Sequence, residues 1–434
     1  MVAAALTTSG VVFAVISAKT TPEVFVVAQS PGLASFDEVW QTIADTFYDP
    51  SFGGLDWNQV RAELRPRVEA TSSPDVARRV INEMLARLKR SHFVVLSSSA
   101  LDGGAPIGEA TLPIDVRVAA KGLLITRVEA GSMAAAAGLV AGQWVRSVDG
   151  QSTADWKAVE AGPDARLRTY QIWRRAYRAL HGQPGSMAAL DVEGLDGRVR
   201  HVSAQRIREA GQIINLGNLP PLAVRTDARE LTTPEGRRVG LIAFNLWMTA
   251  IAEPVATAVD RFRSADGIVL DLRGNPGGLA AMMSGISGHF ISDPGTLLGR
   301  MQTRQGQLEF RPNPRLSTSD GRRVVPFAGP VAILVDELTA SASECFAGAL
   351  QSLGRARVFG RQTMGEALPA LTTQLPNGDV LIHAIGDFVT ATGRSMEGGG
   401  VVPDEPVSLT PAALADGRDP DVAAALSWLD RTRK

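Results

Sequence analysis

The run Val331–Leu350, VAILVDELTASASECFAGAL, sets two serines, Ser341 and Ser343, between a buried-strand pattern and an amphipathic one. A serine on a strand-to-helix corner exposes its hydroxyl beside backbone N–H groups. That arrangement suits a nucleophile, but the hydroxyl is nearly inert until a neighbour takes its proton. A second loop, DLRGNPGG (271–278), comes straight after the apolar GIVL. Glycines so close to a strand end let backbone N–H groups converge on one spot, as an oxyanion hole requires. The loop has neither a Walker lysine nor a G-x-G-x-x-G frame, so it does not read as a phosphate cradle.

The proton acceptor has few candidates. Lysine occurs only at Lys19, Lys89, Lys121, Lys157 and Lys434, which leaves 158–433 without one. Histidine occurs at His92, His181, His201, His289 and His383. A near-neutral imidazole can accept a hydroxyl proton and hand it to a leaving amine. His289 follows the glycine loop on what reads as a helix, and His383 sits in the strand-like VLIHAIG. His181 and His201 fall in a strand-rich region and read as structural.

These residues need a scaffold, and 434 residues are too many for one ordinary core. The composition, 45% hydrophobic and 21% charged, is that of a globular protein. A formal net charge of −1 argues against nucleic acid or an anionic membrane as partner. The single cysteine, Cys345, excludes an intramolecular disulfide and reads as a small buried hydrophobe.

The chain divides into four stretches. Residues 1–33 hold VVFAVISA (11–18), of signal-peptide core length and too short to span a bilayer, though no basic residue precedes it. Export to a periplasmic or extracellular compartment is the first expectation and a cytoplasmic protein the second. Residues 34–105 read as a helical domain. It opens at SFDEVWQTIADTFYD, with Ser35 as cap and Val39, Ile43 and Phe47 at spacings of four. Residues 106–210 turn to strand periodicity and close with a hairpin at the Asp196-Gly197 turn. From 211 to 434, short β-branched runs (RVGLIAF, DGIVLDLRG, PVAILVD) alternate with Ala-rich helices, which predicts an α/β domain with a largely parallel central sheet. In such sheets, sites form beyond the carboxyl ends of the strands, where the serine and glycine loops lie.

Two resemblances sharpen this reading. GLLITRVEAGSMAAAAGLVAGQWVRSVDG (122–150) resembles a PDZ domain, a module that captures the C-terminal end of another chain by strand addition. The usual glycine-flanked carboxylate loop is missing, since ATLPIDV stands there, so a structural lid is the alternative. DLRGNPGG, ELTASASECFAGALQSLGRARVFGRQTMGE and TATGRSMEGGGVVPD together resemble the carboxy-terminal processing (tail-specific) serine peptidases and their tricorn-core relatives. The likeness spans about 35 to 408. It implies an α/β multidomain protein with a tricorn-core or crotonase-like catalytic domain.

By that resemblance Ser341 is the nucleophile and Ser343 the runner-up, otherwise a cap for a helix beginning at Glu344. Ala342 and Gly278 supply the oxyanion N–H groups, with Gly277 as fallback. The best-known branch uses a Ser–Lys dyad, but here TMGE puts Glu366 in the lysine position, and Ser352 stands where an accompanying aspartate is common. The tricorn-like branch uses histidine, and KRSHFVV places Ser91 and His92 where its pattern expects them. Glu397, in GRSMEGGG, completes the set, orienting the imidazole through Ser91. The resemblance implies an endopeptidase for protein or peptide tails, with no metal or organic cofactor, no integral membrane span, and room for a homo-oligomer. The alternative is an inactive peptide-binding or scaffolding homologue whose site decayed when Glu366 replaced the lysine.

Overall fold

A computed structural model describes residues 30–97, 109–156, 165–214 and 222–432; the apolar run 11–18, with the export expectation it carries, lies outside them. Three helices open the described chain, Pro31–Thr46, Trp57–Glu69 and Pro74–Ala86, each capped by the side chain of the residue before it. Their apolar faces meet in one core around Phe36, Ile43, Leu64, Ile81 and Met84. The first helix starts earlier than the Ser35 cap expected from sequence. Ser30 caps it, because Pro31 is already fixed in helical φ at the first position. Ser35 is instead buried one turn in, accepting the Asn377 N–H at 3.1 Å.

That contact is part of a seam between the helical front and the α/β domain. Leu375 and Leu381 enter the helical core, and the strand Val94–Leu96 pairs antiparallel with the strand Val380–Ala384, Val94 facing Ile382. The pairing carries Ser91 and His92, just ahead of Val94, against the loop that holds Glu397.

The middle region is an antiparallel sheet in the order Ile114–Ala119, Gly122–Val128, Trp144–Val148, Met187–Glu193, Val199–Gln205. The expected Asp196-Gly197 turn joins the last two strands, with Gly197 at φ +73°. The helix Ala165–Leu180 packs on the edge strand Ile114–Ala119. Leu123, Ile125, Val145, Leu190 and Val192 fill the core.

The α/β domain holds a six-stranded sheet. Thr226–Thr232 runs antiparallel on one edge; Arg238–Phe244, Gly267–Asp271, Val331–Val335, Arg357–Gly360 and Glu405–Pro406 follow in parallel. The three β-branched runs RVGLIAF, DGIVLDLRG and PVAILVD are adjacent in this sheet. One face packs on helices Ala252–Arg261, Met282–Ser287 and Ala342–Ser352, the other on Pro420–Arg431. This is the α/β multidomain architecture expected, and the glycine and serine loops leave neighbouring parallel strands at their carboxyl ends.

Candidate active site

Ser341 lies at the turn from the strand Val331–Val335 into the helix Ala342–Ser352. It has φ +54° and ψ −124°, a strained backbone for a residue with a side chain. The surroundings hold it there: its N–H donates to the Glu366 carbonyl at 2.8 Å and to Glu344 Oε2 at 3.1 Å. The helix begins at Ala342 with Ser341 as N-cap, so Ser343 is not a cap but part of the first turn. Ser343 is fully buried, and its hydroxyl accepts the Trp247 indole N–H at 2.8 Å. Only Ser341 of the pair reaches the surface of the site.

The glycine loop is pinned against this corner. The buried Asn275 donates from Nδ2 to the Phe244 carbonyl at 2.8 Å, and its Oδ1 accepts the Gly277 N–H at 2.9 Å. Gly277 packs so closely that a Cβ there would stand 2.6 Å from Ser341 Cβ and 3.0 Å from the Ala342 nitrogen. Trp247 donates to the Gly277 carbonyl at 2.8 Å and accepts from the Leu279 N–H at 2.7 Å. In a parallel bridge of that kind the intervening residue, Gly278, turns its own N–H to the opposite side. Ala342, first in its helix, has an N–H with no intrahelical acceptor.

Ser91, His92 and Glu397 meet across 306 residues of sequence separation. Ser91 donates from its N–H to Glu397 Oε1 at 2.8 Å and from its hydroxyl to Oε2 at 2.9 Å. Ser91 Oγ also lies 2.8 Å from His92 Nδ1. The hydroxyl has one proton, and a carboxylate can only accept, so Nδ1 must be the donor to Ser91. The ring therefore carries its proton on Nδ1 and a bare lone pair on Nε2. Burial pushes the His92 pKa below its ordinary value, with the Glu397 charge opposing. Among the described residues the ring's hydrogen bond is this one through Nδ1, so Ser341 and His92 are not hydrogen-bonded in this form.

One peptide group links the two halves. The carbonyl of Glu366 accepts from Ser341, while the N–H of the same peptide unit, belonging to Ala367, donates to Glu397 Oε2 at 3.2 Å. Spanned by two hydrogen bonds and one peptide, the Ser341 nitrogen and the Glu397 carboxylate are at most about 8 Å apart.

Other candidates fall elsewhere. His289 lies just past the end of the helix Met282–Ser287 rather than on it, buried, with its pKa lowered to about 4 by burial and by Arg315 and Arg263. His383 bridges Thr46 and Thr373 between the helical front and the sheet. His181 is held by the Tyr177 carbonyl, and His201 pairs with Asp191 on the middle domain. Glu366, in the lysine position, touches Ser341 through its backbone carbonyl.

Two supporting carboxylates were not anticipated from sequence. Glu344 is fully buried and gathers the N–H groups of Ser341, Gly365 and Glu366 together with the Thr363 hydroxyl. Burial pushes its pKa up to about 7 against those bonds. Asp336, at the end of the serine strand, accepts the Gly274 N–H at 2.8 Å and the Arg117 guanidinium at 2.6 Å, joining the middle domain to both loops. The available signal was the break in VAILV at Asp336, a charge placed directly after a fully apolar strand.

Comparison with known proteins agrees with this architecture. Residues 238–407 match peptidase family S41, 34–86 the tricorn protease C1 domain, and 124–161 a PDZ domain. A carboxyl-terminal-processing protease from a Picosynechococcus species is 28% identical over 404 residues, covering 90% of this chain and 88% of that protein. Its counterpart in a Synechocystis species is 27% identical over 405 residues, covering 90% and 85%. Among solved structures, the photosystem II D1 C-terminal processing protease aligns with a TM-score of 0.56 at 22% identity, over 92% of this chain and 97% of that one.

Proposed function

The chain belongs to peptidase family S41 and is a serine peptidase, and on that premise we propose that it cleaves protein substrates near their C-terminal ends through a Ser341 acyl-enzyme with His92 as base. The observation that carries this reading is the bonding of Ser91. By donating to Glu397 it leaves His92 protonated on Nδ1 and bare on Nε2, the state a general base needs.

In the reaction, Ser341 Oγ attacks the scissile carbonyl carbon as its proton passes to His92 Nε2. The carbonyl oxygen gathers negative charge and is met by the N–H groups of Gly278 and Ala342. Collapse of the tetrahedral intermediate breaks the C–N bond, and the departing amine takes the proton from Nε2. Water then attacks the acyl-enzyme with His92 again as base, releasing the acid and restoring Ser341. Glu397, through Ser91, stabilises the imidazolium in both halves. The constellation is complete when His92 Nε2 comes within hydrogen-bond reach of Ser341 Oγ, a bond of the kind that tightens on substrate binding.

The middle domain fits the delivery of a substrate tail. An extended chain end can add to the edge strand Ile114–Ala119 alongside the helix Ala165–Leu180. The names of the relatives, carboxyl-terminal-processing proteases, point to the same class of substrate.

The test is a fluorophosphonate probe, which labels an activated serine. Wild-type protein should be labelled at Ser341, Ser341→Ala should not react, and His92→Ala should lose most of the rate. Labelling at full rate in His92→Ala would refute histidine as the base. No labelling of the wild type, beside a reactive control, would favour the scaffolding alternative.

A further inference from the structure

Glu397 is gripped on its carboxylate side by Ser91 and Ala367, but its direction is set by the backbone from which it projects. Behind it, Met396 is fully buried, with its sulfur against Gly348, which fixes the depth of the loop. Ahead of it lie Gly398, Gly399 and Gly400, which offer no side chain to hold its rotation. The glycines are held by their own backbone, the Gly398 N–H on the Gly365 carbonyl and the Gly399 carbonyl on Gln362, but the partner of the Glu397 N–H itself is Ser395. Its Oγ accepts the Glu397 N–H at 3.2 Å and donates to Asp387 Oδ1 at 3.0 Å. Asp387 is on the strand Gly386–Thr390, which is itself paired with Gly299–Thr303 and therefore fixed.

We propose that Ser395 and Asp387 are positioning residues for the peptidase reaction, acting through Glu397. As a carboxylate, Asp387 can only accept, so it takes the single Ser395 proton and leaves a serine lone pair facing the Glu397 N–H. Donation then runs in one direction from the imidazole to the sheet: His92 to Ser91, Ser91 to Glu397, Glu397 to Ser395, Ser395 to Asp387. Without Asp387 the Ser395 hydroxyl is free to rotate, and the glycine-flanked Glu397 loses its fixed aim at Ser91. The device acts on the orientation of the base and not on substrate contacts, so it belongs in the acylation rate rather than in substrate affinity. Arg90 and Tyr48 border the same carboxylates, with Arg90 offsetting the charge that Asp387 and Glu397 share.

This inference rests on the Ser341–His92 reading, and a double-mutant cycle on the rate of fluorophosphonate labelling tests it separately. Ser395→Ala should slow labelling about tenfold in the otherwise wild-type chain, and by less than about twofold once Glu397→Ala is present. Ser395→Thr, which keeps the hydroxyl, should recover most of the rate. A merely structural serine would give the same loss in both backgrounds, and that result overturns the proposal, as would a Ser395→Ala protein that labels like wild type. Should Ser395→Ala melt well below the wild type, Asp387→Ala is carried through the same cycle, where an equal loss in both backgrounds is again the overturning result. Unimpaired labelling in His92→Ala would instead remove the underlying reading. The two failures are thus distinguishable.

Discussion

Ser341 and Glu397 are bonded to the two ends of one peptide group, the Ser341 N–H on the Glu366 carbonyl and the carboxylate on the Ala367 N–H. The loop in which Glu366 takes the position where the resemblance implies a lysine therefore serves as a spacer. It holds the Ser341 corner and the Glu397 carboxylate close together through its backbone, and the Glu366 side chain takes no part in those two bonds.

Glu397→Gln keeps an acceptor for Ser91 but removes the charge that favours imidazolium. Turnover should fall by about 10²-fold with KM little changed, since the charge matters most once His92 holds the proton. The carboxylate opposes the lowering of the His92 pKa. Its removal should therefore move the acid limb of the pH–rate profile to lower pH while the plateau drops. Steady-state kinetics on a peptide substrate from about pH 4 to about pH 9 measures both; a variant with an unchanged plateau would deny Glu397 any role in stabilising the imidazolium.

The wild-type profile has a definite sign of its own. Burial lowers the His92 pKa, so the ring stays neutral, and able to accept a proton, to a pH below the ordinary value of about 6.5. Activity should be lost only as the pH falls through that depressed value. A limb at or above about pH 7 would show instead that the Glu397 charge outweighs burial and holds the ring as imidazolium.

Arg117 and Asp336 form the charged joint between the middle domain and the catalytic loops, at 2.6 Å, with Asp336 fully buried. Burial would raise the Asp336 pKa, but Arg117 and Arg361 outweigh it and hold it at about 2. Arg117→Ala leaves that carboxylate its backbone and Thr339 donors and, as ion-pair partner among the described residues, Arg361 at 4.0 Å. Removing one partner of a buried pair should reduce unfolding stability by about 3 kcal/mol. Asp336 also holds the Gly274 N–H, so labelling of Ser341 should slow as well. Urea unfolding with parallel labelling tests this; a change in neither would mean that the middle domain is only loosely seated.

Much of the fold was legible because the deciding signals are local. Arg238–Phe244, Gly267–Asp271 and Val331–Val335 are short β-branched runs between glycines and Ala-rich segments, and they form neighbouring parallel strands. Ser91, His92 and Glu397 were reached through their resemblance to a family pattern, since no spacing rule brings residues so far apart in sequence together. What escaped was set by tertiary contact. Ser35 looks like a cap, yet Pro31 starts the helix earlier and Ser35 is drawn under Asn377. Ser343 matches Ser341 in type and neighbourhood, and it is set apart by burial beneath the Trp247 indole, 96 residues away, while Ser341 keeps the partly exposed corner. Asp387 and Ser395 carry no local mark at all; a strand aspartate and a turn serine are ordinary until the turn folds back on the strand.

Glu344 offers a test in stability rather than rate. With its folded pKa raised to about 7 from an ordinary 4.5, the native protein holds a proton that the unfolded chain has released across that interval. Where the native state binds more protons, stability falls as the pH rises. The contribution is complete below pH 4.5 and lost as the pH climbs through about 7. Glu344→Gln cannot titrate, so its stability relative to wild type should improve steadily from pH 4.5 to about 7. Urea midpoints at half-unit steps would show the two curves converging or crossing. Parallel curves would mean that the Ser341, Gly365 and Glu366 N–H groups and the Thr363 hydroxyl outweigh burial, keeping a charged carboxylate beneath Ser341 throughout.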